Sequence, residues 1–258
     1  MNDKINPIKE VPLRNPGDGL LQRRSIIVEG ILEWVFVIVL IFAYTLSEWI
    51  RWFRDTPPSP YLFTATLIII SIFAYFRIME SVRKLRNCDI GLLGERHVAE
   101  ILDDLREHGY RIINDLTCGR MNIDHILIGP AGVFTIETKM ARKTIGTMNI
   151  ISHAKNVVFT NGKSNYGNKA VWQATQEASY LKEIIGTPDQ CPKIRPIVVY
   201  PGWFVKDRCE GEVWVLNDKY LVQKIRSLPS ILSAEEVSTI YKKLETHARE
   251  VTAKEDYR

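Results

Sequence analysis

The sequence predicts an α/β protein in which a mixed sheet flanked by helices follows a two-helix transmembrane hairpin. Two uncharged apolar runs occupy the first third of the 258 residues, and the remainder alternates strand-length apolar segments with amphipathic helical patterns. With 46% hydrophobic and 25% charged residues, the chain has enough apolar surface for a core and is not a disordered polyelectrolyte. The net charge of +4, from 34 Lys+Arg and 30 Asp+Glu, is too small to identify a nucleic-acid partner without a site.

The first apolar run is unbroken from Trp34 to Leu46 except at Thr45, and the second, from Tyr61 to Phe76, carries no charge. Extended to residues 31–50 and 60–79, each reaches about 20 residues, enough to cross a hydrocarbon core of about 30 Å. Trp34, Trp49, Trp52 and Tyr61 fall at the boundaries, where amphipathic rings suit the interface. A polar tail holding Pro7, Pro12, Pro16 and Gly17 precedes the first run, which argues against a cleaved signal peptide. Arg14, Arg23 and Arg24 before the hairpin and Arg77, Arg83, Lys84 and Arg86 after it place both flanks on the cytoplasmic side of a cell (inner) membrane, with a short external turn at 51–59. The basic residues after the second span also suit anionic headgroups. The expected organisation is a cytoplasmic tail (1–24), a transmembrane hairpin (25–80), a basic juxtamembrane linker (81–90) and a soluble domain (91–258).

In that domain, residues 91–108 read as a helix with Val98, Ile101, Leu102 and Leu105 on one stripe and Gly109 at its end. Strands follow at 110–114, 122–128 and 133–139, the last two joined by the turn Gly129-Pro130-Ala131-Gly132. A second hairpin is expected around Asn161-Gly162, then a helix at 168–185, strands at 194–200 and 212–216, and a helical segment at 218–226. A final helix at 233–247 opens on a capping box, Ser233 with Glu236. Cys88, Cys118, Cys191 and Cys209 form no CxxC pair and read as reduced thiols, not zinc ligands.

The first hairpin carries the chemistry. A turn centred on Pro130-Ala131 pairs Ile128 with Val133, which sets Asp124 opposite Glu137; Lys139 points to the same face. Two carboxylates held together among Ile123, Ile126, Val133, Phe134 and Ile136 must be paired, coordinated or neutralised. A hard divalent cation, Mg²⁺ or Mn²⁺, does this with one or two carboxylates, waters and phosphate oxygens. An ordinary salt-bridge cluster at a strand edge is the alternative. Glu95 lies on the apolar stripe of the helix expected at 91–108 and brings a third carboxylate toward the pair. His125 alternates to the opposite face and reads as a packing residue. Trp172 and Tyr180 read as core, with base stacking the other use. Arg120, Arg142, Lys143, Lys155, Lys163 and Lys169 are placed to follow a phosphate backbone.

Gly94-Glu95, Asn122-Ile123-Asp124-His125, Gly129-Pro130, Gly132-Val133-Phe134, Ile136-Glu137-Thr138-Lys139 and Gln173 together resemble the nuclease-related domain (NERD) family, over residues 89–202. That family belongs to the restriction-endonuclease-like PD-(D/E)XK superfamily; Ile123 stands where the superfamily signature has proline. The resemblance implies a Mg²⁺-dependent nuclease in which Asp124, Glu137 and the Thr138 carbonyl ligate the metal, Lys139 serves the attacking water and Glu95 supports metal or water. Gln173 would position substrate or Lys139, although Gln176 with Tyr180 also fits a QxxxY spacing found in related nucleases. Arg142, Lys143 and Gln176 are the expected substrate contacts, nucleic acid and by preference DNA the expected partner, and the bilayer the anchor. A non-catalytic module that binds nucleic acid or protein, and a membrane sensor whose hairpin self-associates into a homo-oligomer, are the alternative functions.

Overall fold

A computed structural model of the protein describes residues 13–54, 60–119, 121–141, 149–153, 156–159, 165–186, 192–206 and 211–256. The chain divides into two compact units, one of residues 20–90 and one of residues 1–19 with 91–258.

The smaller unit consists of two helices, α1 (Asp18–Trp52) and most of α2 (Tyr61–Asp103). Both are long and apolar enough to cross a membrane. Phe36, Leu40 and Phe42 on α1 and Ile69, Phe73 and Phe76 on α2 are exposed, a distribution suited to an apolar surrounding rather than water. The helices meet through edge-to-face aromatic pairs, Trp34 with Phe73 at 5.4 Å and Tyr44 with Phe63 at 5.0 Å, and Trp49 Nε1 donates to Thr64 Oγ1 at 2.9 Å. Most of the turn expected at 51–59 lies outside the described residues.

Residues 81–90, expected as a linker, are helical and lie within α2, and no new helix starts at Gly91. Nothing between Val82 and Asp89 breaks a helix, and glycine inside one costs only about 1 kcal/mol. Gly94 is required for another reason: a Cβ there would lie 2.4 Å from Met140 Cγ, so the missing side chain lets α2 approach the end of β3 (Gly132–Thr138). The α-helix stops at Asp103, and a 3-10 turn, Arg106–His108, ends on Gly109 at φ 81°.

The larger unit is built on a five-stranded sheet in the order β1-β2-β3-β6-β8. Strands β1 (Arg111–Cys118), β2 (Met121–Gly129) and β3 form an antiparallel meander. Strand β6 (Ile194–Val199) runs parallel to β3, and β8 (Trp214–Leu216) parallel to β6. The crossover between β3 and β6 contains α3 (Asn165–Ile185), which packs on both strands. A small second sheet joins β4 (Asn149–His153), β5 (Asn156–Phe159) and β7 (Phe204–Lys206). The strand expected to enter the Asn161-Gly162 turn is β5, and its antiparallel partner is β4, which precedes it; Asn161-Gly162 lies outside the described residues.

Apolar layers cover both faces of the large sheet. Val98, Leu102 and Leu105 of α2 pack with Leu127, Phe134 and Ile136, and α4 (Asp218–Arg226) closes that layer with Leu221 and Ile225. On the other face Leu181 of α3 and Val237, Ile240 and Leu244 of α5 (Ala234–Asp256) cover Ile113, Ile126 and Ile128. The β2–β3 turn is fixed by its glycines: Gly132 adopts φ 123°, and a Cβ on Gly129 would meet the Tyr110 ring at 2.0 Å.

The capping box at α5 is formed reciprocally, with Ser233 N–H donating to Glu236 Oε2 at 2.7 Å and Glu236 N–H to Ser233 Oγ at 3.3 Å. Ser233→Ala removes one half of it and is expected to lower stability by about 1 kcal/mol in chemical denaturation of the full chain. An unchanged midpoint would show that packing alone sets the start of this helix.

Candidate active site

The β2–β3 register pairs Ile128 with Val133, Leu127 with Phe134, Ile126 with Thr135 and His125 with Ile136. Carried one step further it sets Asp124 opposite Glu137. Asp124 Oδ2 accepts the Thr138 backbone N–H at 2.7 Å, and Lys139 N–H donates to Val199 O at 2.8 Å, so the chain leaving β3 is held from both sides. Glu137 is 1% exposed, in the middle of the sheet between β2 and β6, while Lys139 reaches in from a partly exposed position.

Lys139 Nζ donates to Glu137 Oε1 and, at 3.1 Å, to Gln173 Oε1. Gln173 Nε2 then donates to Glu177 Oε1 at 3.0 Å, one helical turn along α3. The Glu177 carboxyl lies close enough to Glu137 to feel its charge. Oε2 of Glu137 and Oε2 of Glu177 are both buried without a donor.

Electrostatics follow from this crowding. Burial, then the charge of Glu137, pushes the Asp124 carboxyl well above its usual range, although Lys139 and the Thr138 N–H oppose the shift. Glu95, buried on α2, rises to about 7, first through burial and then through Asp115 and Glu137. Glu177 is pushed up to about 11, by burial first and then by the charge of Glu137. Burial pulls Lys139 down, but the charges of Glu137 and Asp124 outweigh it and hold the amine above its ordinary value, as an ammonium ion.

Two acids escaped the sequence reading. Glu177 occupies the buried stripe of α3 with Ala170, Ala174 and Leu181. A carboxylate on an apolar stripe is the same signal that singled out Glu95, and it was readable here. Asp115 had no such signal. It sits between the pairs Asn114 with His125 and Leu116 with Ile123, in a left-handed conformation at φ 50°, close enough to Glu95 to raise its pKa. Its carboxylate accepts Gly19 N–H at 2.7 Å and Asn122 Nδ2 at 2.8 Å, and pairs with Arg14 at 3.4 Å. The segment just before α1 thus folds against β1, next to the acids.

Other expectations fare differently. Among the described hydrogen bonds none ties Gln176 to the site, and Tyr180 Oη pairs with His247 Nε2 at 3.0 Å; the amide that reaches Lys139 is that of Gln173. Trp172, expected in the core, is 57% exposed, because one residue before Gln173 the helix surface turns to solvent. His125 is fully buried with Nδ1 2.9 Å from Asn114 Oδ1, and burial lowers its pKa to about 4. Cys118 is a buried free thiol whose pKa is pushed up, chiefly by burial, to about 12, which disfavours the thiolate. Arg120, Arg142, Lys143, Lys155, Lys163, Cys191 and Cys209 lie outside the described residues.

No group of three or more His, Cys, Asp and Glu among the described residues forms a ready-made metal cage. The donor set is oxygen only: the carboxylates of Asp124 and Glu137, the second with an oxygen that nothing satisfies. Such a set fits Mg²⁺ or Mn²⁺, which need few protein ligands and keep water, and does not fit zinc.

A mixed sheet flanked by helices, with an acid pair and a lysine on its central hairpin, defines a domain of the restriction-endonuclease-like class. Residues 90–201 match the family model of the nuclease-related domain (NERD), which belongs to the restriction-endonuclease-like fold family. No curated protein and no solved structure matches the chain significantly.

Glu95 gives a pH test. Folding raises its pKa from an ordinary 4.5 to about 7, so the fold favours the neutral form. The benefit is complete below pH 4.5 and is lost as pH rises through 7. With divalent cations chelated, Glu95→Gln is therefore expected to be more stable than wild type at pH 8, by on the order of 1–3 kcal/mol. The advantage should shrink toward pH 5. A difference independent of pH, followed by denaturant midpoint, would mean that Glu95 does not feel the other acids.

Proposed function

We propose that the protein is a membrane-anchored nuclease that hydrolyses phosphodiester bonds of nucleic acid, DNA by preference, on the cytoplasmic side of the cell membrane. The observation that carries the reading is the Lys139 amine bonded to the buried Glu137 beside Asp124 on the β2–β3 hairpin, with the buried Glu95 and Glu177 brought near by α2 and α3, within the region that matches the nuclease-related domain. Acids this close resist ionising together, and a divalent cation is the partner that lets them do so beside a phosphate.

Asp124 and Glu137 would hold the ion, with the Thr138 carbonyl as a further oxygen. Bound there, Mg²⁺ would supply Lewis-acid neutralisation of phosphate charge and a more acidic water. The protein's own groups do the rest. The Thr138 N–H orients Asp124 by its hydrogen bond. Lys139, held as an ammonium, donates to a phosphoryl oxygen as negative charge builds on it, and orients the attacking water. Glu95, with a pKa near neutrality, is suited to take a proton from that water. Gln173 steadies Lys139.

The apolar hairpin and its basic flanks support membrane anchoring with both ends cytoplasmic. A reporter fused to the C-terminus should then be active only when it functions in the cytoplasm, and the chain should resist alkaline extraction from membranes. Release by alkali would remove the anchor from the account.

The second reading, a non-catalytic module that binds nucleic acid or protein, rests on the direct Lys139–Glu137 ion pair, which already compensates one acid. Cleavage separates the two. Full chain in detergent should cut linear, circular or single-stranded DNA with Mg²⁺ or Mn²⁺ and stop with EDTA. Asp124→Ala and Lys139→Ala should each lose about a hundredfold or more in kcat while remaining folded. Salt-sensitive binding without any cleavage would favour the module.

A further inference from the structure

Glu177 is fully buried, holds Gln173 on one side and faces Glu137 on the other, and has no access to solvent through which to touch substrate. A side-chain amide is nearly symmetric in shape, so its orientation is decided by its partners. With Nε2 bonded to Glu177, the Gln173 oxygen is left to face Lys139. The reversed amide would set its NH₂ against an ammonium ion and its oxygen against a carboxyl oxygen. Nothing else described bonds the Gln173 amide.

We propose that Glu177 is a positioning residue: its carboxyl group locks the Gln173 amide with the oxygen toward Lys139, and so fixes the amine beside Glu137. The catalytic consequence rests on the nuclease reading; the geometric one does not.

The variants that test this differ in hydrogen bonding but hardly in size. In Glu177→Gln the side-chain oxygen still accepts from Gln173. In Glu177→Leu that bond disappears. For full chain in detergent, Glu177→Gln should stay within about threefold of wild-type kcat, and Glu177→Leu should fall about thirtyfold at nearly unchanged KM. If Glu177 works through Gln173, the double variant Gln173→Ala/Glu177→Leu should be no slower than Gln173→Ala alone. Competitive acylation of Lys139, read by mass spectrometry, supplies a readout free of activity. Labelling of Lys139 should rise severalfold in Glu177→Leu and stay at the wild-type rate in Glu177→Gln, with circular dichroism confirming the fold. Multiplicative losses in the double variant, or Lys139 labelling that does not respond to Glu177→Leu, would overturn the proposal. Should Glu177→Leu not fold, labelling of Glu177→Gln against Gln173→Ala decides: equal rates in the two would overturn it. If wild type cleaves nothing, the nuclease reading alone fails, and the labelling arm still decides the role of Glu177.

Discussion

The site depends on one constraint: two acidic side chains face each other across a hairpin whose register is set by apolar burial. Sliding β3 by one residue would turn Val133 and Thr135 over and send Glu137 to the opposite face, so the core that favours this register also enforces the repulsion. Glu137 is buried and Asp124 half-buried among isoleucines, so water can do little for their charge; the Lys139 amine and the Thr138 backbone N–H compensate it. The remaining features of the site serve this balance. Parallel pairing with β6 holds Lys139 in place, the missing side chain of Gly94 brings α2 and Glu95 close, and α3 delivers Gln173 and Glu177 from the crossover.

The hydrogen-bonded chain Glu137–Lys139–Gln173–Glu177 leaves one unsatisfied oxygen on each glutamate, a costly arrangement for a purely structural cluster. A surface ion pair would gain little, but these groups are largely dehydrated, so removing one partner exposes the others to their full desolvation cost. In sites built for charge that arrives with a ligand, such tension is the expected form.

Much of this was legible in the sequence, and for physical reasons. The turn residues Gly129-Pro130-Ala131-Gly132 and the alternation around them determine the β2–β3 register, so the meeting of Asp124 with Glu137 could be derived by counting. The capping box at Ser233 is local chemistry and was equally readable. The start of the helix carrying Glu95 was not. Two glycines resemble a boundary, yet a helix already stabilised over many turns passes through them at small cost. Asp115 could not be seen either, because its importance comes from a left-handed backbone and from Arg14 and Gly19, about a hundred residues earlier in the chain. Trp172 was misjudged because an aromatic on an amphipathic helix usually faces inward, and here the inward stripe was already filled by Ala170, Ala174, Glu177 and Leu181.

Whether a divalent cation sits on this hairpin can be seen by anomalous scattering from crystals of the full chain grown in a lipid phase and soaked in Mn²⁺. A manganese peak is expected between the carboxylates of Asp124 and Glu137, and it should vanish in Glu137→Gln. A map without that peak, with Lys139 still seated on Glu137, would leave the hairpin without a metal role.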